Sequence, residues 1–169
     1  MEELRTERLK LTPITMEDAK EVYEHFNQAV IKYLLAQVNR NLQVTKEVIA
    51  KMMEYNQLQE EEIYVIRLQE SFEFLGLVAL HDIRGEKPKL GIWLSTKFHG
   101  QKYGKEAIGR LIERARVLGL KSLFYPVDYR NIASVKIAQY YQGIKVKSKE
   151  KVITNDDRTL YIDTYEIKL

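Results

Sequence analysis

Cysteine is absent from the 169-residue sequence, which excludes disulfide bonds, a thiol nucleophile and any zinc site built on thiolates. Long apolar runs are absent too. None approaches the ~20 residues of a membrane-spanning helix, and the N-terminus is polar rather than signal-like. A strong excess of one charge is also missing, because 27 Lys and Arg residues face 24 Asp and Glu residues. The resulting net charge of +3 argues against nucleic acid as a partner. We expect a cytoplasmic protein without membrane contacts.

What the chain does contain is typical of a globular protein. Hydrophobic residues make up 45% of it and charged residues 30%, which are ordinary proportions. A chain of 169 residues can bury a substantial core, and neither a linker nor an internal repeat divides it. The sequence therefore predicts a single domain over residues 1–169.

The first third of the chain predicts one strand followed by two helices. The strand covers about residues 8–12, and Thr15 then caps the first helix in a capping box completed by Asp18. A second helix is predicted to begin after Thr45 and to bury an apolar face. The segment 29–43 between the two helices is expected to be irregular.

The rest of the chain alternates in ways that predict a sheet. Strands are expected at residues 63–68, 72–82 and 89–95, joined by short polar turns. Two strand–helix units follow, and residues 145–153 and 159–169 form a terminal hairpin. The order β-α-α-β-β-β-α-β-α-β-β favours an α+β fold. We expect a mixed, mostly antiparallel central sheet flanked by about four helices.

The segment 90–111 is the most informative part of the chain. Leu90, Ile92 and Leu94 alternate as in a buried strand, Gly100 and Gly104 lie in the following turn, and helical spacing begins soon after. A helix N-terminus entered through such a turn offers free backbone N–H groups and a positive dipole end, which favour phosphate. The same pattern also serves as a plain strand-to-helix connection, so the turn alone leaves both interpretations open.

A second strand–helix unit completes the pattern. An aromatic strand at residues 123–127 runs into Asn131, a natural N-cap, with Ser134 three residues later. The segments LGIWL, HGQKYGKEAI and YRNIASVKIA, with the opening LRTERLKLTPITMEDA, resemble the GCN5-related N-acetyltransferases, and among them the ribosomal-protein N-acetyltransferase type. The resemblance covers residues 4 to about 144. It implies transfer of an acetyl group from acetyl-CoA to a primary amine, by direct attack in a ternary complex and without a metal.

The resemblance also implies a cofactor turn. The family pattern has Gln or Arg, two residues, Gly, one residue, and Gly or Ala, and here His99, Lys102 and Gly104 occupy those positions. His99 lacks the donor fork of Arg, and Lys102 brings a Cβ to a position that elsewhere needs Gly. The cofactor contacts implied in this way are those of Leu94, Ser95, Thr96, His99, Gly100, Gln101, Lys102, Tyr103, Gly104, Lys105, Asn131 and Ser134.

Catalysis requires a neutral amine and a proton for the leaving thiolate. Many relatives place a Tyr seven residues after the Asn, but this chain has Ala138 there. Tyr140 and Ser134 are the substitute proton donors, whereas Tyr141 fits the apolar helix stripe and is expected in the core. For the base, His81 at the end of the third predicted strand is the candidate, expected beside the substrate cleft. A polar residue that merely closes the strand is the alternative.

The acceptor is the least determined part. In this fold the loop at 29–43 and the terminal hairpin would frame its entrance. The run Glu60-Glu61-Glu62 could attract a cationic amine, or it is a solvated helix end. Protein N-termini, lysines, polyamines and antibiotics are all compatible with the sequence.

Two other classes of function stay open. The departures at Lys102 and Ala138 suggest a catalytically degenerate acyl-CoA-binding or protein-interaction module with the same fold. Alternatively, a stripe of Arg110, Arg114, Arg116 and Lys121 could contact RNA. Exposed strand edges allow a homodimer, although the sequence identifies no interface.

Overall fold

A computed structural model describes residues 1–169. Eight strands form one sheet, and five α-helices pack around it. The strands are β1 (Leu4–Arg5), β2 (Leu9–Pro13), β3 (Glu62–Leu68), β4 (Phe74–His81), β5 (Lys89–Leu94), β6 (Ser122–Asp128), β7 (Ile144–Ile153) and β8 (Thr159–Lys168). The helices are α1 (Ala19–His25), α2 (Gln28–Ile31), α3 (Leu42–Leu58), α4 (Tyr103–Val117) and α5 (Ile132–Tyr140).

The strand order is β1-β2-β3-β4-β5-β6-β8-β7. Every neighbouring pair is antiparallel except β5 and β6, so the predicted mixed, mostly antiparallel α+β fold is confirmed. The parallel pair is joined in register only at Lys89 and Phe124, and beyond that point the two strands separate. In the terminal hairpin β8 lies inside, against β6, and β7 forms the edge of the sheet.

The start of the helical region agrees with the predicted cap but not with all the predicted bounds. The backbone N–H and the hydroxyl of Thr15 donate to Asp18 Oδ2 at 2.8 and 2.9 Å, which completes the capping box. The prediction that the next long helix begins after Thr45 is wrong. Asn41 caps α3 by accepting from the Val44 N–H at 2.9 Å, and Thr45 lies buried inside the helix. The one-turn helix α2, capped by Asn27, falls in the region expected to be irregular.

Both faces of the sheet are covered. A cluster of 21 buried residues packs α4 and α5 onto one face, with Ile108 and Leu111 fully buried. A smaller cluster of nine residues packs α1 and α3 onto the other face around Ile49. The alternation of β3 explains this division, because Tyr64 belongs to the first cluster and Val65 to the second. No helix is both long and apolar enough to cross a membrane.

The acidic run at residues 60–62 divides between the end of α3, where Glu60 is exposed, and the sheet, where Glu62 is buried. Helix α3 ends at Leu58, so Glu62 belongs to β3 and is only 5% exposed. Its carboxylate accepts hydrogen bonds from Arg114 Nε and Nη2 and, at 2.9 Å, from the Tyr64 hydroxyl. Arg114 is therefore engaged within the protein, which removes a central cation from the stripe considered for RNA.

Candidate active site

The separation of β5 and β6 opens a cleft of about 640 Å³. The Ser95 N–H donates to the Leu75 carbonyl at 2.7 Å. By the alternation of an antiparallel ladder, the backbone groups of Ile92 and Leu94 therefore face away from β4 and towards the opening. Both residues line the cleft. An extended ligand arm could add to β5 here as a strand would.

The turn before α4 forms one end of the cleft. Gly100 has φ 79° and Lys102 has φ 66°, so both adopt the left-handed conformation. The N–H groups of Gly100, Gln101 and Lys102 donate to no acceptor in the chain, and the first N–H groups of α4 have no intrahelical partner. Lys102 thus stands where glycine is favoured, as the family pattern suggested. The turn offers a set of free donors to an anion.

Two further residues shape this turn. A Cβ on Gly104 would come within 3.3 Å of Ile137 Cδ1 and 3.6 Å of Leu94 Cδ1. The glycine therefore lets the first turn of α4 approach both α5 and β5. His99 Nε2 lies 2.9 Å from the Leu94 carbonyl oxygen. Because a carbonyl only accepts, this nitrogen carries the proton, and His99 ties the turn to the end of β5.

The N-terminus of α5 forms the opposite wall. Asn131 Oδ1 accepts from the Ser134 N–H at 3.3 Å, which confirms Asn131 as the N-cap. The preceding loop is braced by Asp128, which accepts from Arg130 Nε at 2.8 Å and from the Tyr161 N–H at 2.9 Å. Burial raises the pKa of Asp128, but these hydrogen bonds outweigh burial and leave the pKa below its usual value. The carboxylate therefore stays charged and holds the loop in place.

The charges around the cleft are all of one sign. Lys102, Lys105 and Lys136 line it, and no Asp or Glu is among its 19 lining residues. Lys105 Nζ lies 4.1 Å from the centroid of the Tyr140 ring. With two helix N-termini pointing inwards, the cleft presents a positive potential suited to a phosphorylated ligand.

The two neighbouring tyrosines of α5 have different surroundings. Tyr140 lines the cleft and is 61% exposed. Tyr141 instead donates its hydroxyl to the Lys105 carbonyl at 2.8 Å and packs against the core, as its place in the apolar stripe predicted. A Cβ on Gly109 would meet that hydroxyl at 2.2 Å, so the glycine makes room for it. Tyr141 thus joins α5 to α4.

Ser134 lies next to a buried phenol, that of Tyr125. It lines the cleft, and the nearby Tyr125 hydroxyl is buried without a well-formed hydrogen bond. Burial raises the pKa of Tyr125 to about 12, while the neighbouring Ser134 acts in the opposite direction. Tyr125 therefore remains a neutral phenol and does not act as a base.

Four predicted site residues do not line the cleft, namely His81, Ser95, Thr96 and Gln101. The expected position of His81 is wrong. It pairs with Lys89 at the start of β5, five residues from Leu94, or roughly 17 Å along the strand, and its Nδ1 lies 2.9 Å from Glu61. Ser95 is buried on the other side of β5, with its hydroxyl 3.2 Å from His25 Nδ1. Thr96 opens a short 3₁₀ helix.

The cleft is also lined by residues that the sequence did not identify. Val30 and Leu34 line it together with Trp93. Their segment is held by Arg158 from the terminal hairpin, which donates to the carbonyls of Ile31, Leu34 and Ala36 at 2.5, 3.0 and 2.6 Å. The loop at 29–43 and the hairpin therefore meet beside the cleft, as expected, but no local motif in the sequence pairs Arg158 with this loop.

The sequence and fold match known acetyltransferases. The family described as "Acetyltransferase (GNAT) domain" matches residues 8–141, whereas none of the curated proteins is similar enough to count as a match.

Among solved structures, the Salmonella typhimurium acetyl transferase that modifies the N-terminal serine of ribosomal protein L7/L12 has a TM-score of 0.84 at 16% identity. That match covers 99% of each chain. The L7/L12 alpha-N-protein acetyltransferase RimL in complex with CoA has a TM-score of 0.84 at 16% identity, covering 99% of this chain and 98% of its own. The microcin C7 self-immunity acetyltransferase, in complex with acetyl-CoA and AMP, has a TM-score of 0.82 at 21% identity, covering 97% and 94%. At these identities the likeness to the solved structures is one of fold.

Proposed function

Since the chain belongs to the GNAT acetyltransferase family, we propose that it transfers the acetyl group of acetyl-CoA to the α-amine of a protein or peptide N-terminus. The transfer is a direct attack within a ternary complex. The nitrogen forms a bond to the acetyl carbon, the C–S bond breaks, the amine loses a proton and the CoA thiolate gains one.

The cofactor half of the proposal is supported by the donors in the cleft. The free N–H groups of residues 100–102 and the cations Lys102 and Lys105 suit a pyrophosphate. The outward-facing backbone of Ile92 and Leu94 suits the amide-bearing pantetheine arm, with Asn131 along the other wall.

The acceptor half of the proposal is supported by a cleft lining that contains no Asp or Glu. A polyamine or a multiply charged antibiotic needs carboxylates to bind, and this positive cleft would repel it. No carboxylate is placed to take a proton from the amine either. An α-amine, with a pKa of about 8, is partly neutral near pH 7.5, whereas a lysine with a pKa of about 10.4 is almost fully charged. A site without a strong base therefore favours the α-amine.

We assign the proton for the leaving thiolate to Ser134, which lines the cleft at the N-terminus of α5. Tyr140 is the second candidate, because it borders the same cleft. His81 does not act as the base in this proposal, because it lies beside Lys89 at the start of β5, whereas the cleft lies at the end of that strand. Water then takes the proton from the amine. Holding the amine next to the thioester can itself lower the barrier by at most ~7–11 kcal/mol.

The test combines binding with an acceptor panel. Calorimetric titration should give saturable binding of acetyl-CoA, and thiol release should then occur with a peptide whose N-terminus is free. The matched control is the same peptide with an acetylated N-terminus and an internal lysine, and spermidine serves as the polyamine. Equal turnover of the lysine peptide or spermidine would contradict the α-amine assignment. Binding without turnover of any amine would instead favour the degenerate acyl-CoA-binding module.

A further inference from the structure

The segment that precedes β2 converges on the first turn of α4. The Thr6 hydroxyl and the Arg8 backbone N–H both donate to Glu106 Oε1, the latter at 2.9 Å. Arg8 Nε and Nη2 donate to Glu106 Oε2, each at 2.7 Å. Two residues of the Thr6-Glu7-Arg8-Leu9 motif thus hold one carboxylate through both of its oxygens, and they fasten the beginning of the sheet to the helix that starts at the cofactor turn.

Arg8 also reaches the turn itself. Its Nη1 donates to the Gln101 carbonyl at 3.1 Å, and its guanidinium lies 4.4 Å from the centroid of the Tyr103 ring. No other side chain donates a hydrogen bond to the backbone of residues 100–102. Because Lys102 adopts the left-handed conformation without being glycine, outside contacts help to hold the turn in this conformation.

The contact with Gln101 determines where a neighbouring donor points. In a trans peptide the C=O of one residue and the N–H of the next point in opposite directions. Since the Gln101 carbonyl is held towards Arg8, outside the cleft, the Lys102 N–H is directed to the opposite side. Lys102 and Gly100 line the cleft, whereas Gln101 does not, which agrees with this orientation.

Arg8 has a second, electrostatic consequence. Glu106 places a negative charge in the first turn of α4, close to where a phosphate would bind. Burial raises the pKa of Glu106, but the hydrogen bonds from Thr6 and Arg8 outweigh burial and lower the pKa, so the carboxylate stays charged. The Arg8 guanidinium pairs with this carboxylate and neutralises it, and Glu106 is not among the residues that line the cleft.

We propose that Arg8 is a positioning residue for the cofactor turn: by holding the Gln101 carbonyl and the Glu106 carboxylate, it aims the Lys102 N–H at the pyrophosphate of acetyl-CoA. The proposal rests on the proposed function, because it assumes that this turn binds acetyl-CoA. Arg8 itself need not touch the ligand.

The test compares two ligands that differ in their phosphates. The dissociation constants of acetyl-CoA and of S-acetyl-pantetheine, which lacks all phosphates, are measured by NMR titration of the full ¹⁵N-labelled chain. Arg8→Ala should weaken acetyl-CoA about tenfold and leave S-acetyl-pantetheine within about twofold. The ligand-induced shift of the Lys102 amide should be lost, while the shifts of Ile92 and Leu94 persist. Arg5→Ala, an exposed arginine with a single ion pair, to Glu3, is the matched control.

Two other variants distinguish positioning of the turn by Arg8 from simple neutralisation of Glu106. Arg8→Lys keeps the charge without the donor fork and should show the same selective loss to a smaller degree, which also serves if Arg8→Ala does not fold. Equal weakening of both ligands, or of neither, would overturn the proposal. Full recovery of acetyl-CoA affinity in Arg8→Ala/Glu106→Gln would also overturn it, because Arg8 would then act only by neutralising Glu106. If the wild type binds S-acetyl-pantetheine but not acetyl-CoA, the proposed cofactor turn itself is wrong.

Discussion

Among single residues, Ser134 and Tyr140 are the two candidates for the final proton transfer, and their surroundings separate them. Ser134 is partly buried at the wall of the cleft, next to the neutral Tyr125 phenol. Tyr140 is mostly exposed, with Lys105 over its ring. A partly buried hydroxyl at a helix N-terminus meets the thiolate in a defined geometry, whereas an exposed phenol competes with water. The structure therefore favours Ser134.

We expect Ser134→Ala to lower kcat about 100-fold, as for loss of a general acid, with acetyl-CoA affinity nearly unchanged. The cap is retained, because Asn131 accepts from the Ser134 backbone N–H. Tyr140→Phe should change kcat less than about threefold. Thiol release under saturating acetyl-CoA measures both. Ser148→Ala, on the exposed edge strand β7, is the control. An unchanged kcat in Ser134→Ala would transfer the role to another group.

At Lys102 the backbone conformation could be predicted, but the side chains that support the turn could not. The family resemblance implied that Lys102 occupies a position that elsewhere needs glycine, and the structure gives Lys102 a φ of 66°. Such a backbone requirement carries over with the family pattern, because glycine adopts a positive φ without steric cost. The partners of the side chains that support the turn cannot be predicted, since Arg8 and Gln101 are 93 residues apart in the sequence.

At the scale of elements, the contact between α4 and α5 depends on the Tyr141 side chain and on the space left for it by Gly109. The Tyr141 hydroxyl donates to the Lys105 carbonyl and occupies the space that a side chain at Gly109 would take. Exposed helix positions gain roughly 1 kcal/mol when Gly becomes Ala. Here the Cβ would overlap the hydroxyl, so the contact between the helices decides the outcome.

We expect Gly109→Ala to lower the free energy of unfolding by about 1–3 kcal/mol, as for other overpacked sites. In the Tyr141→Phe background the nearest ring atom would be Cζ at 3.1 Å, so the same substitution should cost much less there. Urea denaturation of the four proteins in this double-mutant cycle measures the difference. Equal cost in both backgrounds would show that Tyr141 does not fill the space beside Gly109.

The element order could be predicted from hydrophobic alternation, but the start of α3 could not. Asn41 and Thr45 are both good N-caps, and the local sequence does not say that Thr45 is buried with Asn39 Nδ2 at 3.0 Å from its hydroxyl. The position of His81, by contrast, could have been predicted. Neighbouring antiparallel strands run in opposite directions, so the last residue of β4 lies beside the first residue of β5 and far from the last residue of β5.

For the whole molecule, buried carboxylates determine the response to acid. Asp163 is 2% exposed and accepts from Lys145 Nζ at 2.6 Å and from the Lys149 N–H at 2.8 Å. Burial raises its pKa, but these partners outweigh burial and lower the pKa, as they do for Asp128 and Glu106. Each folded pKa lies below the unfolded value of roughly 4. The stabilisation is therefore complete above that value and is lost as pH falls through the folded pKa values.

We expect the free energy of unfolding to fall below about pH 5, with a slope of up to ~1.4 kcal/mol per pH unit for each additional proton bound by the unfolded state. Asp163→Asn should reduce both the stability at pH 7 and the slope in acid. Glu54→Gln, an exposed residue of α3 outside every ion pair, should change neither. Chemical denaturation from pH 3 to 7 measures this, and parallel curves for wild type and Asp163→Asn would contradict it.

The strand order β6-β8-β7 also has a consequence for biosynthesis. During translation β7 leaves the ribosome before β8, its only neighbour in the sheet, has been made. The turn, α4 and α5, which carry the cofactor side of the cleft, are therefore complete in the nascent chain while β7 still has no partner. Arg158, at the start of the returning strand, then fixes residues 31–36 across more than 120 positions of sequence. Vectorial synthesis thus delivers the turn, α4 and α5 first and secures the loop at residues 31–36 last.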